Sequence, residues 1–257
     1  MPNAAGADSL AVLTFHSISA RPGPTSIALD TFRMQMNVLA QSGFGSMTSR
    51  EFVAWREGAS SYGGPRVLIT FDDGYADFAT AARPILGAHG YSAIVFLPTG
   101  KVGAREDWPG ASTPPQALMD WSTIAELARS GIEFGGHGVT HADLTRLPAA
   151  KRREEIEGSA RQLAERLGSR PACFAPPYGR VNAEVLADIR QVYDAVFGTR
   201  FARATRSGDR FEVPRIEMHY FRDERRWRDF LAGRRGYFLT RRALRSVKTA
   251  AERFGRG

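Results

Sequence analysis

The stretch Val67-Leu-Ile-Thr-Phe71-Asp72-Asp73-Gly74 decides how the rest of the chain is read. Five residues, rich in β-branched and apolar side chains, run without polar alternation into two carboxylates and a glycine. Such a run is a strand covered on both faces, as in a parallel sheet. Six more runs share its character: Leu10–Phe15, Ala93–Leu97, Ile132–Phe134, Ala172–Ala175, Asp194–Phe197 and Phe211–Ile216. Helical patterns lie between them. Asp30 or Thr31 can cap a helix ending near Gly43, and Asp77 to His89 follows the quoted strand. Ser122 can cap a helix closed by Gly131. Pro148 suits the first turn of a long polar helix ending at Gly168, and Asn182 can cap another to Gln191. Alternating strands and helices predict an α/β chain with a parallel sheet. The pattern alone fits either a closed barrel or an open doubly wound sheet.

In both arrangements ligands gather at the carboxyl ends of the strands. His16 follows the first run, Asp72 and Asp73 the second, His137 and His141 the fourth, and Pro176-Pro177-Tyr178 the fifth, while Arg215 lies within the last. Three of the five histidines and an adjacent acidic pair therefore map to one rim. Neighbouring carboxylates point in different directions, so one can bind a metal while the other stays free, although Asp-Asp-Gly is also an ordinary turn. His137-Gly-Val-Thr-His141 can present two imidazoles to one ion. Gly135-Gly136 before it lets the backbone approach a ligand closely. One carboxylate with two imidazoles and open positions is the donor set of a hydrolytic metal centre.

At 257 residues the chain is one large domain or two small ones. Its 43% hydrophobic and 24% charged residues exclude a disordered or fibrous chain. A single cysteine, Cys173, excludes a disulfide framework and an all-cysteine zinc site. No apolar run approaches the ~18 residues of a membrane span. Met1 to Leu10 has no Lys or Arg, and the apolar stretch after it is too short for a secretory signal, so the expected location is the cytoplasm.

Thr70-Phe-Asp-Asp-Gly74, Gly135-Gly-His-Gly-Val-Thr-His141 and Phe174-Ala-Pro-Pro-Tyr-Gly179 resemble, in order and spacing, the first three motifs of the polysaccharide deacetylases of the NodB-homology, carbohydrate esterase 4 group. The resemblance spans roughly residues 10–220 and implies a distorted (β/α)7 barrel. It implies a metal-dependent hydrolase that removes N-acetyl groups from a sugar of a polysaccharide or lipid-linked glycan. It implies that Asp72 is the general base, that Asp73, His137 and His141 bind the metal, and that the Tyr178 backbone N–H helps hold the oxyanion. The implied ion is Zn, with Co, Ni, Mn and Fe also compatible with these donors. The proton donor to the departing amine departs from the commonest pattern, a histidine in a late L-x-H motif. Here the late candidate is His219, without the Leu. Leu13-Thr-Phe-His-Ser17 resembles the early Y-H segment of the biofilm poly-N-acetylglucosamine deacetylases, which favours His16. Ala175 stands where many relatives carry an arginine that holds the base, and Arg215 is the candidate substitute.

Trp121 and Trp108 can stack on a sugar but more often pack in a core, His89 suits a helix C-terminus, and Cys173 reads as inert core. An inactive carbohydrate-binding barrel and a deformylase acting on a lipid-linked amino sugar are the competing functions. The net charge of +8 lies wholly in residues 222–257, which hold 12 Lys/Arg and 4 Asp/Glu. No nucleic-acid-binding signature accompanies that charge. The chain is therefore expected to divide into a barrel, 1–221, and a basic C-terminal extension, 222–257. There Leu244, Val247, Ala251 and Phe254 recur at helical spacing. The extension either lies on an anionic membrane or packs on the barrel with a solvated basic face.

Overall fold

Each of the seven apolar runs contributes to one curled sheet. The computed structural model describes residues 8–21, 23, 25–58 and 64–254, with side chains to residue 246. The strands are β1 (Ser9–Phe15), β2 (Gly45–Ser46), β3 (Arg66–Phe71), β4 (Ile94–Leu97), β5 (Glu133–Gly136), β6 (Cys173–Phe174), β7 (Ala195–Val196), β8 (Ala204–Thr205) and β9 (Ile216–Glu217). Parallel pairing runs β7-β6-β5-β4-β3-β1, with β9 parallel on β1 and β8 antiparallel on its first residues.

The ring is closed by a broken strand. Val213 pairs with Phe197 at the end of β7, and three residues later Ile216 pairs with Leu13 of β1. Pro214 sits in the gap, where its missing N–H breaks the ladder. Arg215 is thereby carried across the seam between the first and last strands. This is a distorted (β/α)7 barrel.

Alternation along the strands sorts the two faces. Val12, Leu68, Phe96 and Phe197 gather in one buried cluster, which Phe52 and Trp55 join. Leu13, Ile69 and Val95 turn the other way and pack under the surrounding helices. On the first face of β1 and β3 the apolar layer gives way to Thr14 and Thr70, whose hydroxyls lie 3.4 Å apart. The register Val12↔Leu68, Thr14↔Thr70 then brings His16 level with Asp72 just past the strand ends.

The helices are α1 (Leu29–Gln41), α2 (Ser49–Arg56), α3 (Arg83–Ala88), α4 (Trp121–Arg129), α5 (Ala149–Leu167), α6 (Ala183–Arg190), α7 (Glu224–Leu231) and α8 (Gly236–Phe254). Asn182 caps α6 by accepting from the Val185 N–H, and Gly168 ends α5 at φ 75°, both as the sequence suggests. Two expected caps are corrected. Ala28 precedes α1 with no side-chain cap, and the Asp30 carboxylate accepts from Arg33 instead. Asp120, not Ser122, caps α4 through the Thr123 N–H. α2 lacks a long periodic signature, though Thr48 and Glu51 form a full capping box at its start. The helix after β3 opens with a π-helical turn, Phe78–Ala82, a form often met beside functional sites.

The described part of the extension packs on the barrel. Trp227, Phe230 and Phe238 belong to the same cluster as Phe32 and Met36 of α1. The Trp227 indole N–H donates to the Gln35 carbonyl, and the Gln35 amide donates to the carbonyls of Met218 and Phe221. Leu239 and Leu244 of α8 remain exposed. The side chains of Val247, Ala251 and Phe254 lie outside the described residues. Among those described, no helix is long and apolar enough to cross a membrane.

Candidate metal centre

Asp72 and Asp73 diverge because the backbone changes hand between them. The Asp72 N–H still donates to the Phe15 carbonyl, as a strand residue would. Asp73 is left-handed at φ 74° and Gly74 follows at φ 71°. A side chain at Gly74 would collide with Leu97, so the turn requires glycine for both space and conformation. Asp72 thus points to the barrel mouth, and Asp73 swings toward the loop after β5.

That loop carries the histidines. The His137 N–H donates to the Leu97 carbonyl, extending the β4–β5 pairing by one residue. Glu155 of α5 then accepts from the N–H groups of Val139 and Thr140 and from the Thr140 hydroxyl, fixing the connection to His141. The glycines before this loop serve packing and not ligand approach. A side chain at Gly136 would meet the Tyr193 ring, and one at Gly135 would meet Phe96. Nε2 of His137 and of His141 each lie 3.2 Å from Oδ1 of Asp73.

The donor chemistry fits a metal ion. His137 Nδ1 lies 2.5 Å from the Ala175 carbonyl, which only accepts, so Nδ1 carries the ring proton. Nε2 of the neutral ring then presents a lone pair to a carboxylate oxygen, which is also an acceptor. Two facing acceptors need a cation between them or a second ring proton. His141 approaches the same oxygen, and its buried Nδ1 has no partner. Without a metal, a protonated His137 and the Nε2–H tautomer of His141 would each donate to Asp73; one ion replaces both protons, since the three ligand atoms lie within 4.8 Å of one another. Burial opposes ionisation of Asp73, yet the two imidazoles facing its Oδ1 hold it well below the usual carboxylate range.

Asp72 has a different partner. Arg215 reaches it from the seam and donates in a bidentate fork, 2.7 Å to each oxygen. The arginine is itself held, with Nε donating to the Gly198 carbonyl and Nη1 to the Thr70 hydroxyl. Burial pushes the Asp72 carboxyl up, but the Arg215 charge and hydrogen bonds outweigh it, and the group titrates below its ordinary value. Asp72 is therefore an ionised acceptor at neutral pH. His16 Nε2 stands 3.9 Å from its other side. His219 is elsewhere, on the turn after β9, facing Glu217 at 3.6 Å with its ring against Tyr220.

Tyr178 follows β6 at φ 60°, with its ring edge-on to His141 and the Arg180 guanidinium above it. Asp73, His141 and Tyr178 are the three non-glycine residues with left-handed φ among those described. Each such conformation costs on the order of 1 kcal/mol, and its concentration at one site marks backbone shaped for a task.

Several neighbours take places that the sequence does not indicate. Trp108 neither packs in the barrel core nor lies open to a sugar. It stacks on the His141 imidazole at 4.2 Å and forms a small cluster with Tyr75 and Leu118. A buried polar network runs beside it. Glu106 accepts from the Tyr75 hydroxyl at 2.7 Å and from the N–H groups of Ser112 and Gln116. Burial, with the Asp73 and Glu106 carboxylates close by, pushes the Tyr75 phenol far up, so it stays a donor. The Ser17 hydroxyl, next to His16, donates within a cluster formed by Gln116 and Asp77. The loop from Val102 to Leu118 thus ties the His16 turn to the Asp73 turn. Trp121, by contrast, lies against the outer core under Arg166. His89 meets Asn37 at the surface, and Cys173 is buried with its thiol pushed up by desolvation.

Comparison with known proteins places these features among relatives. A family profile described as polysaccharide deacetylase matches residues 59–193. YxkH of Bacillus subtilis (strain 168) is 24% identical over 210 residues, covering 81% of this chain and 71% of that one. The poly-beta-1,6-N-acetyl-D-glucosamine N-deacetylase of Escherichia coli (strain K12) is 24% identical over 227 residues, covering 74% of this chain and only 33% of that longer protein. The solved structure of IcaB from Ammonifex degensii superposes with a TM-score of 0.73 at 26% identity, covering 88% of this chain and 96% of that one.

Proposed function

The chain belongs to the polysaccharide deacetylase family, and we propose that it is a divalent-metal-dependent hydrolase that removes N-acetyl groups from an N-acetylated glycan. One observation carries this reading. An Asp-His-His donor set lies beside a second, separately paired aspartate that is ionised and free to take a proton. When bound by Asp73, His137 and His141, the ion, with Zn the favoured candidate, polarises the amide carbonyl and acidifies a water molecule.

The protein's own groups divide the remaining work. Asp72 accepts a proton from the attacking water. Arg215 keeps that carboxylate ionised and aims it, while binding no metal itself. The Tyr178 N–H donates to the oxygen that becomes negative as the carbonyl carbon turns tetrahedral. His16, across from Asp72, donates a proton to the sugar nitrogen as the C–N bond breaks. Water adds across the amide bond, so the products are acetate and the free amino sugar.

The test is metal analysis coupled to acetate release over N-acetylglucosamine oligomers. The expected result is one divalent ion per chain, with acetate release lost on chelation and restored by Zn. Full metal occupancy without acetate release from any N-acetylhexosamine would instead favour an inactive binding barrel.

A further inference from the structure

A second recess opens on the same rim, one sector away from the metal ligands. It lies at the carboxyl ends of β6 and β7 and encloses about 760 Å³ between the rim and the inner face of α8. Pro176 and Gly179, which flank Tyr178, form one wall. Gly198, whose carbonyl holds Arg215, forms another. The recess therefore backs directly onto residues that touch the metal ligand His141 and the base Asp72.

Its lining is cationic. Arg200, Arg242 and Arg245 face it, against one acid, Glu212. Arg245 is fixed in place, donating to the Thr199 carbonyl at 3.1 Å, with its other nitrogen 3.9 Å from Glu217. Arg200 and Arg242 have no hydrogen-bond or ion-pair partner for their guanidinium groups among the described residues. Other surface arginines, such as Arg50, Arg153 and Arg225, also lack a partner among the described residues, but Arg200 and Arg242 share one recess with Arg245. Guanidinium groups converging on one recess repel one another unless an anion sits between them. Their planar forks match the oxygens of a phosphate or carboxylate. Val181, exposed, adds apolar wall against which the carbon face of a pyranose can lie, while the Phe211 ring is already faced by the Arg190 and Arg210 guanidinium groups.

We propose that this recess is a subsite for an anionic substituent, phosphate or carboxylate, carried by the glycan whose acetamido group reaches the metal centre. The inference rests on the deacetylase reading above and names a substrate class for it. A sugar chain laid over Tyr178 from the metal runs onto this sector of the rim. Arg200 and Arg242 then supply the charge complement, and Arg245 supplies a fixed edge.

The experiment compares three oligomers of N-acetylglucosamine with the full-length, metal-loaded protein: a neutral one, one bearing a terminal phosphate, and one oxidised to a terminal carboxylate. Arg200→Ala/Arg242→Ala is expected to lower kcat/KM for the preferred charged oligomer about tenfold more than for the neutral one, mostly through KM. Arg200→Lys/Arg242→Lys should recover part of that loss, and the wild-type preference should shrink as salt is raised. The phosphate and carboxylate arms identify which anion is taken. Equal losses on all three oligomers, or no preference in the wild type, overturn the subsite. Calorimetric binding of the charged oligomers to the chelator-treated protein gives a second reading. Binding that depends on the two arginines without acetate release breaks the deacetylase reading and leaves the anion site standing. Acetate release without arginine-dependent preference does the reverse.

Discussion

The rim has two sectors built on opposite principles. Around β3 and β5 most of the polar groups that shape the site are buried and held. Asp72 is forked by Arg215, Glu155 pins the histidine loop, and Glu106 and Gln116 bridge the turns of Asp73 and His16. Asp73 and His141 are left-handed there, and Tyr178 joins them from the loop after β6. Around β6, β7 and α8 the charged groups are exposed or half-buried, and two arginines have no partner among the described residues. The first sector is organised before any ligand arrives, which suits chemistry whose cost is geometric error. The second is accessible and adaptable, which suits recognition.

That contrast can be broken at several points. The largest effect is expected at His16. His16→Ala should cost 10²- to 10⁴-fold in kcat, the usual range for a lost proton donor. His219→Ala, away from Asp72, should stay within about twofold. Steady-state kinetics on both variants decides the matter, and the opposite pattern would move the acid role to His219.

Arg215→Ala comes next. Arg215 is the chief influence lowering the Asp72 pKa, and burial alone raises it. Without the arginine the carboxyl should titrate above its ordinary value, so the acid limb of kcat/KM moves to higher pH. Stability shifts in step. The wild-type Asp72 contribution is present above the unfolded-state pKa and fades as pH falls through the lower folded value. Leaving the carboxylate unpaired should cost about 3–5 kcal/mol near neutral pH, read by chemical denaturation. An unchanged pH profile would remove Arg215 from the site.

The smallest of the three concerns Glu106, whose partners are Tyr75, Ser112 and Gln116. Glu106→Gln keeps the size of the side chain but weakens the hold on Tyr75 and the loop carrying Trp108. Metal affinity, measured by competition with a chelator, should fall about 10- to 100-fold. Activity at saturating metal should change much less. Unaltered affinity would show that the network supports only the loop fold.

The chain itself made much of this legible, unevenly. The seven apolar runs announce seven strands because a strand covered on both faces leaves no polar alternation. Asp73, His137 and His141 are legible because their spacing within two short motifs is local. The Arg215–Asp72 pair is legible only through the family resemblance, which made Arg215 the candidate partner of the base, since 143 residues separate its members and the broken strand at Pro214 brings them together. Trp108, Glu106 and Gln116 lie in a loop with no periodicity, and their roles depend on what the loop folds against. The basic extension was readable as charge, whereas the burial of Trp227 against α1 was not.

By itself, then, the sequence determined the alternation of strands and helices, the rim on which the ionisable residues fall, and the Asp-His-His grouping that could hold a metal. These follow from neighbours along the chain and from the period of a strand. The tertiary structure set His16 against Asp72 and Arg215 upon it, contacts expected only by resemblance, and it alone decided where the backbone turns left-handed. The first two are long-range contacts fixed by strand register and ring closure. The third is a strained conformation that only the packed surroundings sustain.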